Sequence, residues 1–201
     1  VLRNRLRIAD YDKFYQNVFP GAVNSAGSMV SISAYNNLTE RENFFNQTDL
    51  IFDINQGDIT HRMLVGAELG RQDTVNFRET GYFGAPGSTV TSQSVSVSNP
   101  QPNLPISYRQ SASDADNAGV ADTAALYVQD QMHIGEKWQF IAGLRYDRFA
   151  MDFTNNRSGV RIEQTDDMLS PRAGLIYQAT PDFNLYASYS KAFVPRAGDQ
   201  L

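Results

Sequence analysis

The chain has 201 residues and a net charge of -5, and this acidity argues against a nucleic-acid-binding surface, which is usually basic. Hydrophobic residues make up 41% of the sequence, yet no run approaches the roughly 18 apolar residues of a membrane-spanning helix. No cysteine is present, which excludes a disulfide framework, a zinc knuckle and a thiol nucleophile.

Alternation of apolar and polar residues predicts seven strands in chain order. The fifth shows the pattern most clearly, because Trp138, Phe140, Leu144 and Tyr146 share one face. The second is the least regular, since the segment YNNLTERENFFNQTD interrupts its alternation and could hide an additional turn. The predicted strands are Leu2–Phe14, Ser31–Ile54, Ile59–Glu79, Gly119–His133, Trp138–Phe153, Glu163–Gln178 and Phe183–Val194.

The connections between these strands are predicted to alternate in length. The tight turns NQGD, IGEK and ATPD contain the turn-forming residues Gly, Pro, Asn and Asp. Long connections are expected at about residues 16–30, 80–118 and 154–164. This asymmetry is typical of transmembrane β-barrels, which have short periplasmic turns and longer extracellular loops.

A strand with one apolar face suits either a soluble β-sandwich or a membrane barrel. Trp138 and Tyr146 lie on the apolar face, and their spacing corresponds to roughly 20 Å along the membrane normal. That separation approaches the roughly 25 Å apolar band between the aromatic girdles of a barrel. We therefore predict an all-β fold, an antiparallel transmembrane β-barrel segment whose apolar face is outside. Seven strands with two free edges cannot close in lipid, so the segment is expected to belong to a larger barrel.

Three segments carry a family resemblance: LYVQDQMHIGEKWQFIAGLRYDRF, LSPRAGLIYQATPDFNLYASYSKAFVPRAGDQL and HRMLVGAELGRQDT. They resemble the barrel of TonB-dependent siderophore receptors, in particular the ferrichrome and catecholate branch. The resemblance spans nearly the whole chain, and the order of short turns and long loops agrees with it. The hairpin YVQDQ…W…GLRYD followed by SPR.GL.Y is the most specific part.

The resemblance implies a barrel of 22 strands around an N-terminal plug, and uptake of a ferric siderophore through the bacterial outer membrane. It further implies contact with outer-membrane lipid and lipopolysaccharide, and energy from the TonB complex. Residues 1–201 are expected to be barrel only, because no plug, TonB box, signal peptide or C-terminal aromatic signature is seen in them. The siderophore is cargo, and no cofactor is expected.

Ferric siderophores are polar and often anionic complexes with aromatic or hydroxamate arms, so aromatic rings and arginines are suited to bind them. The long segment after the third strand supplies both types in FRETGYF and ISYRQ. The candidate ligand-binding residues are therefore Phe77, Arg78, Tyr82, Phe83, Tyr108 and Arg109. The competing interpretation is that these side chains pack the loop against itself or extend the strand above the membrane.

Other chemistries have weaker support in the sequence. No enzyme is expected, because His61 and His133 are the only imidazoles and both fall beside predicted periplasmic turns. The spacing of Asp114, Asp116 and Gly119 resembles a calcium loop, but Ala125 stands where a bidentate Glu belongs. Two further functions stay open at this point, a passive porin and a soluble β-sandwich binding module. The arginines Arg145 and Arg172, on the polar face, are expected to pair with carboxylates of the wall or the plug.

Overall fold

The computed structural model describes residues 1–194, and its strands form a single antiparallel sheet. The strands are β1 (Leu2–Val23), β2 (Met29–Gln56), β3 (Ile59–Phe83), β4 (Ser92–Ser96), β5 (Ile106–Arg109), β6 (Asp116–Ile134), β7 (Trp138–Asn155), β8 (Arg161–Thr180) and β9 (Phe183–Ser190). The main sheet has the order β1-β2-β3-β6-β7-β8-β9, so seven long strands follow one another as neighbours. Residues 1–194 contain no helix of the length and apolar character needed to cross a membrane.

The predicted antiparallel β-barrel segment is confirmed. Among residues 1–194 no second sheet covers the apolar face, in contrast to the two-layer arrangement of a β-sandwich. Phe140, Leu144 and Leu185 are exposed, with 37%, 43% and 54% of their surface accessible. Leu175 is partly exposed. Side chains of this size left open to water along a whole sheet face would be unfavourable, and lipid tails are the environment that suits them.

Two tight turns connect the strands at the end that the barrel assignment makes periplasmic. Gly57 and Gly135 begin them with φ angles of 62° and 56°, the left-handed region that glycine adopts without strain. The third connection at this end covers only residues 181–182. All three predicted short turns are therefore present.

The predicted long connections are partly strand in the structure. β1 continues beyond its predicted end at Phe14 and reaches Val23, so the connection after it shrinks to residues 24–28. The connection after β7 likewise covers only residues 156–160. Backbone ladders continue above the apolar band, where β1 has large apolar side chains on both faces, such as Val18 and Phe19, so the alternation that marks a strand in the sequence is lost.

The remaining prediction errors also concern strand ends. β2 runs without a break from Met29 to Gln56, so the additional turn is absent. The segment that was expected to hide it is hydrogen-bonded to β1 on one side and to β3 on the other. β9 ends at Ser190, before the predicted Val194. The predicted loop at residues 80–118 shrinks to 84–115 and contains β4 and β5, which pair with β2 and β3.

The fold-back of β4 and β5 creates the main buried cluster among residues 1–194. We call it the loop core, and it consists of Val30, Ile32, Ala34, Phe83 and Val95, with Ile106 and Tyr108 packed against it. These residues come from β2, β3 and the two loop strands. The loop core therefore fixes the extracellular end of the wall, where ligands from outside the cell would first meet the protein.

Candidate functional site

Cross-strand pairing decides which side chains face the barrel interior. Directly opposed residues of an antiparallel pair lie on the same face. Leu144 is opposed to Val128 and Pro171, whereas Arg145 is opposed to Tyr127 and Ser170. The first set lies on the lipid face and the second faces the lumen.

A cluster of aromatic and cationic side chains lies on the lumen face at the extracellular end. We call it the mouth cluster, and it consists of Lys13, Tyr15, Phe19, Tyr35 and Arg78. The Tyr35 ring packs edge-on against Tyr15 and Phe19, with 5.6 Å between ring centroids in each pair. The Arg78 guanidinium lies 4.1 Å from the Tyr35 centroid, and the Lys13 ammonium lies 5.1 Å from that of Tyr15. Rings and cations thus alternate across three adjacent strands.

A second cation and ring lie beside the mouth cluster. The Arg109 guanidinium stacks 3.6 Å from the centroid of Tyr82, and it also donates a hydrogen bond to the backbone carbonyl of Ser88. Because Tyr82 is buried, this pair joins β3 to β5 and to the loop between them. Arg109 therefore contributes positive charge here while it holds the loop in place.

The carboxylate of Asp114 fixes the return of the loop to the wall. It accepts hydrogen bonds from the backbone N–H of Thr80 at 2.9 Å and of Ser111 at 2.7 Å, and from the Thr80 hydroxyl. Burial raises the pKa of Asp114, but these hydrogen bonds outweigh it and leave the pKa below its usual value of 3.8. The carboxylate is therefore ionised at neutral pH, and it is already hydrogen-bonded to donors of Thr80 and Ser111. Among residues 1–194 no three acidic or histidine side chains are grouped as a metal site would require.

The structure divides the six predicted site residues between the two faces of the sheet. Arg78, Tyr82 and Arg109 share the lumen face, because Arg109 is opposed to Thr80, which lies on the same face of β3 as Arg78 and Tyr82. The other three lie on the opposite face: Phe77, Phe83 and Tyr108. Phe83 is only 1% exposed inside the loop core. A ligand role for the second group stays an untested prediction.

Buried polar atoms without a partner gather at this same end. Burial raises the pKa of Tyr108, whose hydroxyl has no hydrogen-bond partner in the described chain. The other atoms of this kind near the loop are Arg78 Nε, Gln93 Oε1, Ser107 Oγ and Gln110 Nε2. Such atoms are uncommon in folded proteins, and one of them, Arg78 Nε, lies 3.7 Å from Oδ1 of Asp114.

Four members of the mouth cluster were missed by sequence reasoning. Lys13 lay within the predicted first strand but was not singled out. Tyr15 and Phe19 fell in a predicted loop, because the first strand was ended at Phe14. Tyr35 stood in the segment that was thought to hide a turn. A signal was nevertheless present in the sequence. Tyr15 lies two residues after Lys13, and Phe19 lies four residues after Tyr15, so an extended first strand places all three on one face.

Further down the lumen face, wall carboxylates neutralise an arginine as predicted. Arg145 bonds to Glu68 at 3.0 Å and to Asp147 at 2.8 Å. No ion pair involves Arg172 in residues 1–194; its side chain lies instead against the backbone at Gly143. Arg3, Arg5 and Arg7 line the same face of β1 at every second residue. The wall is therefore cationic along β1 and balanced around Arg145.

Comparison with known proteins identifies the family. Residues 2–201 match the family described as TonB dependent receptor-like, beta-barrel. The chain belongs to this family. TonB-dependent receptors are transport receptors of the bacterial outer membrane. Membership of this family is therefore favoured over the passive porin.

Sequence relatives of this TonB-dependent receptor chain include the metal-pseudopaline receptor CntO of Pseudomonas aeruginosa, 31% identical over 77% of the chain and 22% of the relative. The ferrioxamine B receptor of Salmonella typhimurium is 32% identical over 71% of the chain and 18% of that protein. The chain thus spans about a fifth of the length of these relatives.

Solved structures share the fold of this receptor chain. The siderophore receptor PiuA of Acinetobacter baumannii superposes with a TM-score of 0.77 at 19% identity, over 94% of this chain and 29% of that one. The ferric-catecholate import receptor Fiu of E. coli K12 gives a TM-score of 0.71 at 20% identity, over 94% and 32%. At these identities the likeness concerns the fold.

Proposed function

We propose that the protein to which this chain belongs imports a ferric siderophore through the outer membrane, using energy that the TonB complex delivers. Residues 1–201 supply barrel wall and extracellular loop, and the plug lies in another part of the protein. The family match and the relatives named as siderophore and ferrioxamine receptors support this function. The observation that carries it for this chain is the mouth cluster, a set of rings and cations on the lumen face at the extracellular end.

The preferred ligand is an anionic complex with aromatic arms. Lys13, Arg78 and Arg109 bring three positive charges to this end of the lumen face. Asp114 lies 3.7 Å from Arg78 Nε and balances part of this charge, so the end keeps a net positive charge. Guanidinium groups bind oxyanions strongly, and tyrosine faces stack on aryl rings. A ferric catecholate combines both features, whereas a cationic hydroxamate complex would be repelled.

The proposed contacts within the site differ in accessibility. Arg78 has 42% of its side chain accessible and is the first candidate for direct contact, with Tyr15 and Tyr35 beside it. Tyr82 and Arg109 hold the loop beside the mouth cluster, and Arg109 retains guanidinium N–H groups for a ligand. Phe77, Phe83 and Tyr108 support the loop from the other face, so that their effect on binding is indirect.

The surroundings of the barrel wall are part of the same proposal. The apolar face contacts outer-membrane lipid over the band that contains Leu126, Leu144 and Leu169. Above this band the outward side chains become charged, with Arg148 opposed to Asp167 and Asp152 opposed to Glu163. We propose that lipopolysaccharide contacts the wall at this height.

The test measures binding of two ferric complexes to the intact receptor that contains this chain. Arg78→Gln should weaken binding of a ferric tris-catecholate by roughly tenfold, since a charge-assisted hydrogen bond contributes that much affinity. Binding of a ferric hydroxamate complex without net negative charge should change little. Arg161→Gln is the matched control, because Arg161 lies on the outward face and is paired with Asp152. Equal effects of the two variants on both complexes would contradict the proposed site.

A further inference from the structure

Two ionisable side chains lie on the lipid face close to the periplasmic turns. Nδ1 of His61 is 2.7 Å from Oδ2 of Asp130, and the side chains are 22% and 21% accessible. The register opposes His61 to Met132 and Asp130 to Met63, so both polar groups stand among apolar residues of the outward face. An ionisable side chain in this position indicates a functional site, because an uncompensated charge against lipid is costly.

The hydrogen bond to His61 satisfies only one of the two carboxylate oxygens. Oδ1 of Asp130 has no hydrogen-bond partner among residues 1–194. An ionised carboxylate can accept several hydrogen bonds, and hydrocarbon tails donate none. Oδ1 is buried, so an external donor reaches the carboxylate at its accessible edge, where Oδ2 can accept a second hydrogen bond beside the one from His61.

An apolar groove of about 760 Å³ begins directly beside Asp130. Asp130 is opposed to Ala142, which forms the floor of the groove together with Ala173. The side chains that rise around this floor are larger: Met132, Phe140, Leu175 and Tyr189. The groove is open to the surroundings of the barrel and offers the apolar lining that an acyl chain requires.

Trp138 and Tyr177 mark the level of the lipid headgroups at this end. Their rings lie 4.3 Å apart, one row of the sheet below His61, at the start of β7 and near the end of β8. Aromatic residues of this kind concentrate where the membrane meets water. A lipid headgroup at this level is therefore two residues along a strand from the level of His61 and four from the level of Asp130.

We propose that His61, Asp130 and the adjacent groove bind one phospholipid with a primary ammonium headgroup, a phosphatidylethanolamine of the periplasmic leaflet. Its ammonium donates to Asp130, and one acyl chain fills the groove. A primary ammonium supplies both the positive charge and the N–H donors that Asp130 lacks. A quaternary ammonium has no N–H donor, and a purely anionic headgroup is repelled by the carboxylate.

The experiment uses the intact receptor that contains this chain, in mixed micelles with lipids of defined headgroup, and counts retained lipids by native mass spectrometry. Phosphatidylethanolamine should be retained about tenfold better than phosphatidylcholine or phosphatidylglycerol, the effect of one charge-assisted hydrogen bond. Asp130→Asn should remove this preference and leave the barrel folded. Asp122→Asn is the matched control, because Asp122 lies on the same strand and face but above the apolar band.

Several results would overturn the lipid site. Equal retention of the three lipids by the unchanged receptor would do so, as would an undiminished preference in Asp130→Asn. A dimer of the receptor that is lost in Asp130→Asn would show instead that protein covers this face. If Asp130→Asn fails to fold, His61→Gln provides the second variant, and its headgroup preference should fall in the same way.

Discussion

Gly66 provides the sharpest test of how the lumen face is packed. A Cβ atom at this position would lie 2.3 Å from Cε2 and Cζ of Tyr127, and 2.5 Å from its hydroxyl oxygen. Carbon atoms in contact are normally about 3.5–4.0 Å apart. Gly66→Ala must therefore push the Tyr127 ring away from the wall of the barrel.

The expected cost follows from what the ring holds. The Tyr127 hydroxyl donates to Asp49 and accepts a hydrogen bond from Gln47 Nε2 at 2.9 Å. Loss of the bond to the carboxylate costs about 1.5–3 kcal/mol, and loss of the neutral bond about 1 kcal/mol. Replacing glycine by alanine in a strand by itself stabilises the folded state by about 0.5–1 kcal/mol. Gly66→Ala should therefore destabilise the barrel by about 1.5–3.5 kcal/mol.

The assay is reversible unfolding of the intact receptor in urea, followed by the mobility shift that distinguishes folded from unfolded barrel. Gly119→Ala is the matched control, because a Cβ there would lie 3.6 Å from its nearest atom, an ordinary contact. Gly119→Ala should leave the free energy of unfolding unchanged or raise it slightly. A double-mutant cycle with Tyr127→Ala isolates the cause: if Gly66→Ala costs as much without the Tyr127 ring as with it, the clash is not the reason.

Three further outcomes are expected. Leu144→Arg, on the lipid face, should cost about 2–4 kcal/mol in the same unfolding assay, whereas Ser188→Arg on the lumen face should cost less than 1 kcal/mol; similar costs would contradict the assignment of the faces. Arg145→Met should destabilise by about 1–2 kcal/mol, because it leaves Glu68 and Asp147 uncompensated in a partly exposed site, and a simultaneous Glu68→Gln should recover part of this loss. The depressed pKa of Asp114 stabilises the loop fully above its ordinary value of 3.8, and this contribution is lost as the pH falls through the lower folded-state pKa. Hydrogen exchange of residues 84–115 should therefore be slower at pH 7 than at pH 3 after correction for the intrinsic rate, and Asp114→Asn should abolish most of that difference.

The sequence alone determined the class of fold, because a strand with one side against lipid must place apolar residues at every second position. The segment from Trp138 to Tyr146 has this pattern, and the turns at Gly57 and Gly135 need a residue that tolerates positive φ. These constraints act within a strand or a turn, so they can be read without knowledge of distant residues. Residue type likewise singled out Arg78, Tyr82 and Arg109, which share the lumen face.

Only the tertiary structure decided what happens above the apolar band. There the apolar and polar residues alternate irregularly, so the local pattern gave only a weak signal that β1 continues past Tyr15 and Phe19 and that β2 passes Tyr35 without a turn. The pairing of β4 with β2 and of β5 with β3 joins segments far apart in sequence, and it buries Phe83 in a core that no local period predicts. Hydrogen-bond ladders and long-range packing fix these features, and they assemble the mouth cluster from three strands.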